Sequence, residues 1–139
     1  MTDMIEAWLA RCEDPAVEPF QGMAEAGLFA PMDSYLAIGR TKAALVERTG
    51  LLGVGGAWGG RQLVGRFFIE GFGTVEQRSR WRGRGASVAI SEPKVGAHPK
   101  HLRTRAEPCD GGFRITGEKA WVSNAPSADV LIVLAITAE

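Results

Sequence analysis

The sequence predicts an α+β protein: a helical domain first, then part of an antiparallel β-domain. Three observations predict it. Apolar residues as far as Trp81 recur at helical spacing. After Arg82-Gly83-Arg84-Gly85 the period falls to two, as in a half-buried strand. Finally, the 139 residues are 45% hydrophobic and carry 16 Lys+Arg against 16 Asp+Glu, too apolar and too neutral for a disordered chain. The expected division is an all-helical domain over 1–84 and a β-domain over 85–139.

Each element has its own signal. Met4, Ile5, Trp8, Leu9 and Cys12 form one helical face, with Thr2 or Asp3 as the expected cap and Pro15 and Pro19 beyond its end. A short helix over Phe20–Ala26 is expected to close on Gly27. Asp33 or Ser34 should start a longer helix through Leu36, Ala37, Ala44, Leu45 and Arg48, ended by Gly50. Val64, Phe67, Phe68 and Phe72 give another helical stripe. Thr74 and Gln77 have the spacing of a capping box, at the head of a helix carrying Arg78 and Trp81. In the second part Ala86, Val88 and Ile90 alternate with Ser87, Ala89 and Ser91. Leu102 to Ala106 alternates too, with Arg103 and Arg105 on one face. Asp110-Gly111-Gly112 predicts a hairpin turn, after which Phe113 and Ile115 point to one side. Ala120–Ser123 reads as strand and Asn124–Ser127 as loop. Val130–Ile136 reads as a strand buried on both faces.

Several function classes are excluded or disfavoured. The longest apolar run, seven residues, is far short of the roughly 20 needed to span a bilayer. No basic-then-apolar opening marks a secretory signal, and Cys12 and Cys109 lie far apart, so a reducing cytoplasm is the expected location. Gly53-Val54-Gly55-Gly56-Ala57-Trp58 fails as a dinucleotide loop, because Trp58 stands where the third glycine must sit. A close helix–helix contact suits those glycines better. His98 and His101, with Cys109 nearby, are too few for a metal site, and two histidines around a proline would not share a helix face. Neutral overall charge hides a dipolar chain: seven acids against Arg11 up to Asp33, then eight bases against Glu76 and Glu92 from 76 to 105. Arg78-Ser79-Arg80-Trp81-Arg82-Gly83-Arg84 could track a phosphate backbone, yet no nucleic-acid-binding signature accompanies it. A solvated helix end, or a neighbour of a nucleotide-bearing small molecule, fits it better.

The most informative stretches are Ser91-Glu92-Pro93-Lys94-Val95-Gly96-Ala97-His98 and Gly117-Glu118-Lys119-Ala120-Trp121-Val122-Ser123-Asn124-Ala125. The first is a strand end running into a glycine-containing loop, where backbone groups become free to bind a ligand. The second sets a tryptophan and a serine two apart, an apolar plate beside a hydroxyl if the segment is extended. Together with Phe72-Gly73-Thr74-Val75-Glu76-Gln77-Arg78 before them, and Ala128-Asp129 and an apolar strand after, this order resembles the flavin-dependent acyl-CoA dehydrogenase family. The resemblance is close from Phe72 to Ala138 and agrees only in helical character before that.

The resemblance implies a helical domain, a middle β-domain and a C-terminal four-helix bundle, assembled as tetramer or dimer, with FAD held between the latter two parts. Against that pattern this chain would contain an incomplete middle domain and no bundle. The backbone at Val88 and Ile90 would meet the flavin's pyrimidine edge. The Ser91 hydroxyl would sit at the ring system, Trp121 would cover it, and Ser123 would reach towards N5. Donors at the pyrimidine edge stabilise the charge of a reduced flavin, more so behind a dry wall. The family reaction is α,β-desaturation of an acyl-CoA thioester, with an electron-transfer partner reoxidising the flavin. Its carboxylate base lies in the bundle, which nothing here matches; Glu92 and Glu118 belong to motifs with other roles. Where the family has a serine touching the FAD pyrophosphate, this loop reads Gly96-Ala97-His98, so either Lys100, His98 or His101 compensates or FAD binds more weakly. The expectation is therefore a truncated enzyme or one part of a split one, partnered by itself or a complementing subunit. The rivals are a non-catalytic remnant of the fold and a nucleic-acid module around Arg78–Arg84.

Overall fold

The structure, a computed structural model, describes residues 1–30, 32 and 34–137. Helix α1, Thr2–Leu9, starts one or two residues earlier than the expected caps, Thr2 or Asp3, would set it. Neither Thr2 nor Asp3 caps it; Met1 takes the capping position without a side-chain bond, and its carbonyl accepts the Met4 and Ile5 N–H groups. The helix stops before Cys12, which lies just past the turn at Ala10 and Arg11. Phe20–Ala26 is a series of turns instead of a helix, although Gly27 closes it at φ 76° as anticipated. These turns bring Met23, Ala26 and Leu28 into the core with Ile5 and Trp8, and the Trp8 indole N–H reaches the Gln21 carbonyl at 2.9 Å.

Helix α2, Tyr35–Thr49, is capped by the Ser34 hydroxyl, which accepts the Ala37 N–H at 3.1 Å, and ends at Gly50 with φ 68°. The alternative cap, Asp33, lies outside the described residues. Next comes one long helical run: α3, Leu52–Gly59, a π-helical turn at Gly60–Gly65, and α4, Arg66–Phe72. Its glycines do provide close contact. A Cβ at Gly55 would meet the Val46 side chain of α2. Trp58, fully buried, donates to the Leu28 carbonyl at 3.0 Å, and Gln62 donates to the same oxygen at 2.9 Å. Helix α5, Val75–Trp81, opens on the expected capping box. The Gln77 N–H donates to the Thr74 hydroxyl at 3.1 Å, and the Thr74 N–H to the Gln77 amide oxygen at 2.9 Å.

The strands are β1, Ala86–Ala89; β2, Arg105–Cys109; β3, Gly112–Thr116; and β4, Val130–Val133. Burial alternates from Leu102 to Ala106 with Arg103 and Arg105 outward, as the pattern predicts. β2 and β3 form an antiparallel hairpin, Ala106 opposite Ile115 and Pro108 opposite Phe113. The other pair corrects the antiparallel expectation: β1 and β4 run parallel, Val88 opposite Ile132. Parallel pairing needs a crossover of a dozen residues or more, and the chain from Ile90 to Asp129, hairpin included, supplies it. Two further readings fail. Ala120–Ser123 is not a strand, because Trp121 turns to φ 58° and Asn124 to φ 63°. Nor is β4 buried on both faces; Leu131 is exposed and its neighbours half-buried, since α4 and α5 face it across an open cleft of about 260 Å³. The strand also ends at Val133, after which Ile136 bridges to Arg105 and ties the two sheets together.

Helical and β parts are joined by specific contacts. Gly65 packs directly on Ala86 of β1. The Asn124 side-chain amide donates to the Ala57 carbonyl at 2.8 Å. Arg61 donates to the Ser127 carbonyl at 3.0 Å, lies 3.6 Å from the Asp129 carboxylate, and stacks 4.3 Å from the centre of the Phe29 ring.

Candidate functional site

Two segments distant in sequence meet at the end of β1. The Ala120 N–H donates to the Ser91 carbonyl at 2.9 Å, Lys119 Nζ donates to the Ile90 carbonyl at 3.0 Å, and the Ser87 hydroxyl donates to the Ser123 carbonyl. Residues 119–123 therefore run beside residues 87–91. All five residues singled out from the sequence fall in these two segments.

Their placements differ in kind. Within the parallel ladder the Gly85 and Ala89 carbonyls both face β4, accepting the Val130 and Leu134 N–H groups at 3.1 Å. Backbone direction alternates along a strand, so the polar groups of Val88 and the N–H of Ile90 point to the opposite edge of β1. Among the described residues no strand pairs on that edge. Val88, Ile90 and Ser91 are half-buried. Trp121 is 91% exposed, the most exposed of the large apolar side chains, and sits at φ 58°. Positive φ is costly for a bulky residue and persists only where its surroundings hold it. Here the hold is the Ala120–Ser91 bond on one side and Asn124, pinned to the helical part, on the other. Trp121 and Ser123 thus do not share a strand face; Ser123 is exposed with its carbonyl tied to β1.

A polar cluster behind this corner escaped the sequence reading. Glu92 is 5% exposed. One carboxylate oxygen accepts the Thr104 hydroxyl at 2.6 Å, the Thr104 N–H at 2.9 Å and Lys119 Nζ at 2.9 Å; the other accepts the Arg103 N–H at 2.7 Å. Its own backbone exchanges two bonds of 2.9 Å with Gly96, forming the tight turn after Pro93. The Thr104 hydroxyl, with the two backbone amides and Lys119, holds the Glu92 carboxyl down at about 2, against the opposing effect of burial. A carboxylate so held stays ionised and fully occupied, which suits a tether and not a proton-accepting base. One signal could have found it. Thr104 lies on the inward face between Leu102 and Ala106, and a buried hydroxyl needs a partner.

His98 and His101 correct another reading. The 3₁₀ turn Pro99–His101 brings residues three apart together, and the two rings lie 4.7 Å apart. Among the described residues no group of three or more His, Cys, Asp or Glu side chains is placed to hold a metal ion, and no helix is long and apolar enough to cross a membrane.

Comparison with known proteins agrees with this geometry. Residues 87–139 match the family described as acyl-CoA dehydrogenase, middle domain. The chain is 31% identical over 129 residues to benzylmalonyl-CoA dehydrogenase of Aromatoleum aromaticum, covering 84% of this chain and 34% of that protein. It is 36% identical over 105 residues to the human mitochondrial very long-chain specific acyl-CoA dehydrogenase, covering 68% of this chain and 16% of that one. It therefore spans about a third or less of these relatives. Among solved structures, the FAD complex of PigA superimposes with a TM-score of 0.68 at 23% identity, over 99% of this chain and 44% of that one. Motif order, fold and these matches converge: the chain belongs to the acyl-CoA dehydrogenase family, with residues 87–139 carrying its middle-domain pattern.

Proposed function

We propose that this chain is the flavin-holding part of an acyl-CoA dehydrogenase-type oxidoreductase, with FAD seated along the open edge of β1. The observation that carries the reading is a 91%-exposed tryptophan held at positive φ in the segment tied to the end of β1, a strand whose second edge no described strand pairs. Backbone strain at an exposed aromatic serves no packing purpose, and such strain gathers at binding sites. The residues present fit the group. The Val88 N–H and C=O and the Ile90 N–H match the alternating donors and acceptors of a pyrimidine edge, the Ser91 hydroxyl lies next along the chain, and Trp121 offers the apolar wall. Ser123 stands two residues further on, its carbonyl fixed by Ser87.

In this reading FAD supplies the acceptor for the hydride leaving the β-carbon of an acyl-CoA thioester. The chain's own residues bind, orient and shield. Donors on the β1 edge favour the anionic form of a bound ring, and Trp121 keeps water from one face of it. The Glu92–Lys119–Thr104 cluster sets the spacing between β1 and the Trp121 segment. No residue of this site is offered as the base that removes the α-proton; that group, the acyl-CoA pocket and an electron-transfer partner belong to the rest of the assembly, a homo-oligomer or a complementing subunit. We likewise propose the division into a helical domain over 1–84 and a β-domain over 85–139.

The test is titration of the purified protein with FAD, followed by flavin absorbance and fluorescence, on wild type and Val88→Pro. Proline at 88 removes the N–H facing the open edge and leaves the ladder bonds of Ser87 and Ala89 in place. Saturable binding by wild type and loss in the variant, with unchanged circular dichroism, supports the reading. Protein that takes up no flavin favours the non-catalytic remnant.

A further inference from the structure

A second cavity, of about 340 Å³, opens between α4, α5 and the turn that follows, away from the β1 edge. Its charged lining is Arg66, Arg78, Arg82 and Arg84 with a single acid, Glu70, and Gln62 and Trp81 form part of its wall. Glu70 is already engaged: its carboxylate accepts Arg66 Nε at 2.6 Å, and its backbone carbonyl accepts an Arg78 guanidinium N–H at 3.2 Å. Arg66 still has one guanidinium nitrogen, Nη1, that is buried without a hydrogen-bond partner. Arg82 and Arg84 are exposed and make no ion pair among the described residues.

Buried donors are almost always paired, so Arg66 Nη1 has the capacity to take a further acceptor. Four guanidinium groups against one carboxylate leave three net positive charges in a concave site, at the lower end of the size range of small-molecule pockets. Planar guanidinium forks match the tetrahedral oxyanion of a phosphate, and a dianion answers such an excess better than a single carboxylate does. We propose that this cavity binds a phosphoryl group, free or carried on a small molecule, with Arg66 Nη1 as its innermost donor. A nucleic-acid strand fits this cavity less well. Arg80 lies over the Trp81 ring at 5.0 Å, occupying the face a base would stack on.

The experiment is calorimetric titration of the full chain with inorganic phosphate and with glycerol 3-phosphate at fixed ionic strength, sodium chloride serving as the matched blank. Saturable binding is expected, tighter for the ester if the natural ligand is ester-borne and equal for both if it is free phosphate. Arg82→Gln and Arg84→Gln, both at exposed positions that leave the core untouched, should each weaken binding about tenfold, the loss of one charge-assisted contact. Arg66→Gln should do the same, and its melting temperature checks that it folds. No saturable binding, or binding that all three variants retain, overturns the proposal. So does binding of a single-stranded oligonucleotide without any response to either phosphate.

Discussion

The contact between Gly65 and Ala86 positions β1 against the long helix, and a methyl group added at 65 tests it. A Cβ there would press on the Ala86 Cβ and lie 2.9 Å from both the Ala86 carbonyl carbon and its oxygen. Comfortable packing begins near 3.4 Å and the Ala86 Cβ contact is the tightest, so helix and strand backbones would have to part by about 1 Å. Backbone cannot swing aside as a side-chain tip can, and overpacking of this kind costs ~1–3 kcal/mol. Alanine would also recover ~0.5–1 kcal/mol of helix propensity relative to glycine. Gly56, on the exposed side of the same helical run with nothing within 4 Å, isolates that gain. Urea and thermal unfolding should therefore find Gly56→Ala neutral or slightly stabilised. Gly65→Ala should lie ~1–3 kcal/mol below it, several degrees in Tm at this size. Equal stability of the two variants would refute the claim that close backbone approach sets the position of β1.

Other outcomes follow from the same structure. Glu92 has its carboxyl lowered to about 2 when folded, against an ordinary value near 4.5, so the unfolded chain binds more protons between those values. The stability it contributes is complete above about pH 4.5 and is lost as pH falls towards 2; Glu92→Gln should remove that share of the acid dependence in unfolding curves from pH 6 to 2. Ser34→Ala deletes the hydroxyl that caps α2 and should cost ~1 kcal/mol in urea unfolding. Trp121→Gly replaces a strained, exposed residue by one at ease at φ 58°, so Tm should hold or rise slightly while FAD affinity falls. Loss of stability without loss of affinity would make Trp121 a structural residue.

Local signals carried much of this fold. Ser34, Gly50 and the Thr74–Gln77 box act through neighbours a few residues away, and their partners are visible in sequence. The same holds for the hairpin at Asp110-Gly111-Gly112 and for the inward Leu102, Thr104 and Ala106. What could not be read depends on distant partners. β1 and β4 are joined by about 40 residues, and nothing in either strand states that the pair is parallel. Trp121 looks extended by composition, and only the Ala120–Ser91 and Asn124–Ala57 bonds show why the chain turns there. Glu92 sits in a recognisable motif, but its role emerges from Thr104 and Lys119, 12 and 27 residues on. The five flavin-site candidates came from family resemblance; the structure adds that Val88 and Ile90 direct backbone N–H groups towards an edge of β1 that no described strand pairs.

That edge is where the account is most directly measured. Amide hydrogen exchange across residues 86–91, read with and without saturating FAD, reports on it residue by residue. Slower exchange at Val88 and Ile90 on FAD addition, with Ser87 and Ala89 already protected by the β4 ladder, is the predicted result. Flavin uptake that leaves the Val88 and Ile90 amides exchanging as before would contradict it.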